Sequence, residues 1–277
     1  MEPEKTRTGD SAGPGGRSKS GWASGGSASS STAATDHRVY LRPGFDWQAA
    51  DAYLFDIDGT LLNSRDAVHY HAFHRAVEHF FGLDLRLDGI PVHGNTDIGI
   101  LRAYLEAANV PESEWQPRVP DVMAFMCAEV ARNGEDLRIE ICPGILSGLN
   151  HLQSQGKLLG VASGNLESIG WAKVEKCGLR GYFSFGAFSG EREKRDDIIA
   201  HGIRQAKALR GPEICVYVVG DTPADIASAH ANNAPVIAAA TGIYSFRELL
   251  EHNPEMCIAC CEDLLQPDLD DAPKPGI

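Results

Sequence analysis

The chain has 277 residues, a formal net charge of −13, 43% hydrophobic and 23% charged residues. Its length suits one large domain or a domain with a smaller insert. The acidic balance argues against nucleic acid or an anionic membrane as partner, since either calls for a basic face.

In chain order, residues 1–36 come first, dominated by Gly, Ser, Ala and Thr, a composition that cannot bury enough apolar surface to offset its ordering entropy. No apolar run approaches bilayer length, and the first residues show no secretory signal. Seven cysteines, an odd number, suit a reducing compartment. The expectation is a cytoplasmic protein.

Short apolar runs follow at 52–56, 158–162, 184–188, 215–220, 234–240 and 256–260. Between them lie segments with apolar residues at three- and four-residue spacing, such as 145–155, 167–177 and 198–209. Runs apolar on both faces and separated by helices predict a Rossmann-like, doubly wound α/β fold with a mostly parallel sheet. From Asp66 to Leu137 the patterns are helical only (AVHYHAFHRAVEHFF, TDIGILRAYLEAA, DVMAFMCAEVARN). This predicts an α-helical cap inserted after the first strand. The expected division is a core at 37–65 and 139–266, a cap at 66–138, and loose tails at 1–36 and 267–277.

Ligand sites in open α/β sheets lie beyond the carboxyl ends of the strands. The first run ends there in Asp56 and Asp58, the second in Ser163-Gly164-Asn165, and the fourth in Asp221, with Asp225 four residues on. Acids gathered on one edge repel each other unless a divalent cation sits among them. Hard oxygen donors with room for water and phosphate oxygens suit Mg²⁺. An acidic chain can therefore still take a small phosphorylated metabolite, because a local cation reverses the field inside a pocket.

FDIDGT (55–60), ASGN (162–165) and GDTPAD (220–225), in this order, resemble the haloacid dehalogenase superfamily of phosphohydrolases. The likeness covers roughly residues 50–266, and the helical insert sits where that family carries its C1 cap. It implies that Asp56 attacks phosphorus to form an aspartyl-phosphate, and that Asp58 protonates the leaving alcohol and later takes a proton from water. It implies that Ser163 hydrogen-bonds a transferring oxygen, and that Asp56, the Asp58 backbone carbonyl and Asp221 hold Mg²⁺. Asp225 is left between metal contact, orientation of the cation and capping of its helix. The family's lysine ahead of the helix after the third strand has no Lys-Pro counterpart in GEREKRDDII (190–199). Lys194 is the expected cation, with Arg195 and Arg192 as competitors.

Gly164, Asn165 and Arg195 are expected substrate contacts. Thr96 joins them from HGNTDIGIL (93–101), which is similar to Gly-x-Thr-Asp segments of phosphoglycolate-phosphatase-like caps. The implied activity is a Mg²⁺-dependent phosphatase for a small phosphate monoester, phosphoglycolate first and a sugar phosphate second. A β-phosphoglucomutase-like phosphomutase is the alternative. A haloacid dehalogenase would need neither Asp58 nor Asp221, and a non-catalytic interaction module would need neither Asp56 nor Asp221. His69, His71, His74 and His79 lack the spacing of a zinc motif and read as ordinary cap histidines. Cys257 and Cys260 read as structural.

Overall fold

Each of the six apolar runs forms a strand in the computed structural model, which describes residues 39–84 and 86–265. The expected tails at 1–36 and 267–277 lie outside those residues. Strands β1 (Val39–Leu41), β2 (Ala52–Phe55) and β3 (Leu62–Ser64) lead into helices α1 (Val68–Phe81), α2 (Asp97–Ala107), α3 (Glu112–Trp115) and α4 (Val119–Arg132). Strand β4 (Ile139–Ile141) follows, then α5 (Ile145–Ser154), β5 (Leu158–Ser163), α6 (Glu167–Lys176) and β6 (Phe185–Phe188). The chain continues through α7 (Arg195–Arg210), β7 (Val216–Gly220), α8 (Pro223–Ala231), β8 (Val236–Ala239), α9 (Phe246–Leu250) and β9 (Met256–Ile258).

The main sheet runs β1-β9-β8-β7-β2-β5-β6, parallel throughout except for β1, which pairs antiparallel with β9. Two features escape the sequence pattern. Strand β1 is only three residues long, and β3 pairs antiparallel with β4 in a separate ribbon of three-residue strands. Runs this short show too little alternation to be told from loop.

Strand β2 shows why the sheet forms. Successive side chains point to opposite faces, so Tyr53 and Phe55 join one apolar cluster, and Ala52 and Leu54 the other. All four residues are buried. Burying a side chain such as Leu54 stabilises the fold by about 1.5–3 kcal/mol. Gly202 of α7 lets that helix lie close to the sheet, since a Cβ there would sit 2.9 Å from a Leu54 methyl.

Helices α1 to α4 leave and rejoin the sheet through the β3–β4 ribbon. They bury a cluster of their own: Phe73, Ala76 and Val77 on α1, Leu101 and Leu105 on α2, and Val122, Met126 and Val130 on α4. That spacing places one stripe per helix against its neighbours. Leu166 and Ile169, at and just beyond the start of α6, complete the cluster.

The order of the strands fixes where a ligand can sit. The chain lays β5 and β6 on one side of β2, then crosses to place β7 on the other. Such a reversal opens a crevice at the carboxyl ends of the flanking strands. Asp56 and Asp221 are the first residues past β2 and β7.

Candidate active site

Asp56, Asp221 and Asp225 are all buried, and each offers a carboxylate oxygen within 4.8 Å of the others. The Asp221 carboxylate lies between two bare stretches of backbone. A Cβ on Gly59 would come within 2.2 Å of Asp221 Oδ2, and one on Gly242 within 1.8 Å. Gly59 also holds φ at +89°, which glycine adopts without strain. Thr60 Oγ1 donates to Asp221 Oδ1 at 2.9 Å.

Among the described residues the cation paired with this group is Arg195 rather than the expected Lys194. Lys194 is exposed and occupies the extended N-cap position of α7 (φ −86°, ψ 137°). The helix begins one residue later and turns Arg195 inward. Its Nη2 lies 2.7 Å from Asp56 Oδ1, and its Nε and Nη2 donate to Asp225 Oδ1 at 2.9 and 2.5 Å. Arg195 therefore does not offer itself as a simple substrate contact, since it is already tied to two carboxylates. The other competitor, Arg192, is half-buried and not part of the cavity lining.

Asp225 is saturated. Oδ1 takes the Arg195 bonds, and Oδ2 accepts from the Thr222 N–H at 3.0 Å and Thr222 Oγ1 at 2.7 Å, closing the capping box of α8. Its place is to orient Arg195 and cap a helix, and no lone pair is left for direct metal ligation.

Three carboxylates against one guanidinium leave a formal balance of −3 + 1 = −2. The acidities follow. Burial pushes the Asp56 carboxyl up to about 6, with Arg195 holding it down and Asp225 and Asp58 adding to the rise. Burial, then Asp56 and Asp225, push Asp221 up to about 8 against the Thr60 hydrogen bond and Arg195. Hard oxygen donors, a deficit of two positive charges and a carboxylate seated between glycines fit a divalent cation.

Asp58 stands apart from that group, and its carboxylate is not among the clustered oxygens. Lys173 Nζ donates to Oδ1 at 2.9 Å and to Oδ2 at 2.8 Å, and Asn165 Nδ2 donates to Oδ2 at 2.7 Å. Burial would raise this carboxyl, but Lys173, the Asn165 hydrogen bond and nearby His69 outweigh it and hold it below the ordinary range. Lys173 is a cavity-lining cation that the sequence reading missed. A signal exists: it lies on the buried stripe of α6 with Ile169, Gly170 and Val174, an odd place for a lysine.

Ser163, the last residue of β5, is buried and accepts two bonds from Asn165, at 2.8 Å from Nδ2 and 3.4 Å from the backbone N–H. Its own hydroxyl hydrogen remains to be donated into the cavity. Asn165 lines the cavity but spends its amide on Asp58, Ser163 and Lys173, so the expected substrate contact becomes a brace. Gly164 stays in the lining. A Cβ there would meet the Asn95 carbonyl oxygen at 2.2 Å, so glycine lets the 93–97 loop press onto the strand end.

Thr96 does not reach the cavity. Its Oγ1 accepts from the Gly99 N–H at 2.9 Å as the cap of α2 and donates to the Glu193 carbonyl at 2.6 Å. Its neighbour Asp97 does line the cavity, accepting from the Leu166 N–H at 2.7 Å, with His69 Nε2 3.3 Å from its other oxygen. The remaining α1 histidines make no metal cluster among the described residues. His74 bonds Asp84, and His79 stacks on Phe125. Cys257 and Cys260 are buried and not joined in a disulfide.

The cavity above these residues has a volume of about 260 Å³, below the ~300–1,000 Å³ of sites that hold drug-sized ligands. It suits a small metabolite. No helix among the described residues is long and apolar enough to cross a membrane.

Comparison with known proteins agrees with this fold. Residues 53–239 match the sequence profile described as haloacid dehalogenase-like hydrolase. No curated protein matches at a significant level. Among solved structures, a predicted phosphatase from Clostridium acetobutylicum superposes with a TM-score of 0.58 at 20% identity, covering 78% of this chain and 96% of that one. A predicted phosphoglycolate phosphatase from Haemophilus somnus 129pt gives 0.59 at 17% identity, covering 79% and 98%. CbbY from Rhodobacter sphaeroides, solved in complex with phosphate, gives 0.54 at 20% identity, covering 71% and 88%. At these identities the likeness is one of fold.

Proposed function

This chain belongs to the haloacid dehalogenase-like hydrolase family, and from that premise we propose that it is a phosphatase for small phosphate monoesters, with Asp56 as nucleophile. The observation that carries the reading is the formal deficit of two positive charges around Asp56 and Asp221, beside a separately neutralised Asp58. A phosphoryl site needs a carboxylate to attack, a second group to move a proton and positive charge for the phosphoryl oxygens.

In the first step an Asp56 oxygen bonds to phosphorus while the bond from phosphorus to the leaving oxygen breaks. That oxygen takes the proton of Asp58, which must enter the step in its protonated form although Lys173 and Asn165 favour the ionised one. In the second step a water oxygen bonds to phosphorus, its proton passes to Asp58, and Asp56 is released. Ser163 donates its hydroxyl to a phosphoryl oxygen, and Arg195 holds Asp56 in line for attack. Asp56, Asp221 and the Asp58 backbone carbonyl would hold Mg²⁺, which when bound supplies charge neutralisation for the phosphoryl oxygens.

We take 66–138 as a cap over a core at 37–65 and 139–266. The cap side of the cavity is lined by His69, Val92, His93, Asn95, Asp97 and Ile100, with no Lys or Arg among them. Lys173 and Arg195 are already matched to carboxylates. A carboxylate on the leaving group, as in phosphoglycolate, meets no unpaired Lys or Arg among the described lining residues, so a sugar phosphate moves ahead of it. Seven free cysteines support a cytoplasmic setting.

Phosphate release from a panel of sugar phosphates and phosphoglycolate, with Mg²⁺ and with chelator, tests the proposal. Turnover that needs both the metal and Asp56 is expected, strongest on a sugar phosphate. Turnover that survives Asp56→Asn would sink the nucleophile assignment, and a preference for phosphoglycolate would reverse the substrate order.

A further inference from the structure

Lys173 is 3% exposed, and its ammonium has three acceptors: both Asp58 oxygens, at 2.9 and 2.8 Å, and Asn165 Oδ1 at 2.9 Å. An ammonium has three protons to donate, so all are used inside the site. Asp58 Oδ2 accepts from both Lys173 and Asn165, which fills its lone pairs. Oδ1 accepts from Lys173 alone and keeps one pair open.

We infer that Lys173 is a positioning residue: with Asn165 it pins the Asp58 carboxylate so that Oδ1 is the oxygen that trades a proton with the leaving oxygen and then with water. The inference rests on the reading of Asp58 as the acid–base group. The Asp58 side chain is 41% exposed on the cavity wall, so packing alone does not hold it. Proton transfer requires the two oxygens to come within about 2.6–3.2 Å, and misplacement of a reacting group by 1 Å can cost on the order of 10²-fold in rate. A buried ammonium is expensive unless paired. Here the pairing is made with one carboxylate and one amide, both belonging to the site. Arg195 serves Asp56 in the same sense, so the two cations divide the two carboxylates between them.

The test compares two esters that differ in their need for a proton. p-Nitrophenolate leaves phosphorus without one, whereas the phenolate of phenyl phosphate leaves reluctantly. Values of kcat/KM report the steps up to departure of the leaving group and leave out the later hydrolysis of the aspartyl-phosphate. Lys173→Met is expected to lower kcat/KM on the order of 10²-fold for phenyl phosphate and less than about tenfold for p-nitrophenyl phosphate. Asp58→Asn is expected to show the same skew, and adding Lys173→Met to it should cost little more, as for residues acting as one unit. Lys173→Gln keeps an N–H donor and should recover part of the loss; it also serves where the methionine variant fails to fold.

A skew in Asp58→Asn with an even loss in Lys173→Met and Lys173→Gln would overturn the inference while leaving the phosphatase reading intact. An even loss in Asp58→Asn would overturn the acid–base assignment, and the positioning role with it.

Discussion

Asp56 and Asp58 stand at the end of one strand, two residues apart, and meet opposite surroundings. Around Asp56 three buried carboxylates share Arg195, and the pKa values of Asp56 and Asp221 rise. Around Asp58 a lysine and an amide converge on one carboxylate, and its pKa falls below the ordinary range although the group is partly buried. One side is short of positive charge and the other has enough. The contrast separates two tasks that adjacent carboxylates could otherwise confuse: a group that needs a cation from outside, and a group served by the chain itself. Paired acids pushed in opposite directions are how one site holds distinct roles.

The sharpest way to break this contrast is to remove the carboxylate on the deficient side. Asp56→Asn should lower turnover by on the order of 10⁴-fold or more, measured as phosphate release, because no other group can take the phosphoryl. Turnover within tenfold of wild type would end the nucleophile assignment. Next in size is the cation. Arg195→Met leaves the buried acids without a paired cation and should cost about 3–5 kcal/mol of stability by denaturant melts, the scale for breaking a buried pair. Added Mg²⁺ should restore part of the loss. Arg195→Lys keeps the charge but loses the fork that spans Asp56 and Asp225, so it should fall between. An unchanged midpoint in Arg195→Met would mean that the charge deficit is absent in solution.

Acidity gives a third test, with opposite signs on the two sides. In metal-free protein the folded state keeps protons on Asp56 and Asp221, at about 6 and about 8, that the unfolded chain releases near pH 4. The folded state thus binds more protons, and this contribution to stability falls as pH rises from about 4 through about 8. Asp58, held low, contributes in the other sense, with stability present above its unfolded value and lost as pH falls. The gain in melting temperature from Mg²⁺ should therefore grow from about pH 5 to pH 8. A gain that is flat or shrinks over that window would contradict the raised pKa values. The smallest effect is expected from Thr60→Val, which removes a neutral donor from Asp221 and should cost about 0.5–1.5 kcal/mol in the same melts.

How much of this could be read in advance depends on range. Strands β2, β5, β6, β7, β8 and β9 were legible because apolar runs are local patterns, and Asp56, Asp58 and Asp221 because they follow those runs directly. Their partners were not. Lys173 is 115 positions from Asp58, and Arg195 is 30 from Asp225, so their pairing belongs to the packed fold. Lys194 was preferred over its neighbour Arg195 in sequence, and only the start of α7 decides which one turns inward. Thr96 was expected to touch substrate, yet its capping bond to α2 removes its hydroxyl from the cavity. Asp225 has the composition of a metal ligand and is spent on a capping box.

The β3–β4 ribbon carries a consequence for how such a molecule can change. The chain enters the α1–α4 segment and returns from it through neighbouring antiparallel strands, with Ser64 paired to Ile139. The two ends of the insert are therefore side by side, and a short turn could join them without moving any strand of the main sheet. Termini that meet in this way are the condition under which a whole segment can be exchanged for another of different length. The segment's covalent attachment is thus confined to one ribbon, while Asp56 and Asp221 stay where the sheet puts them.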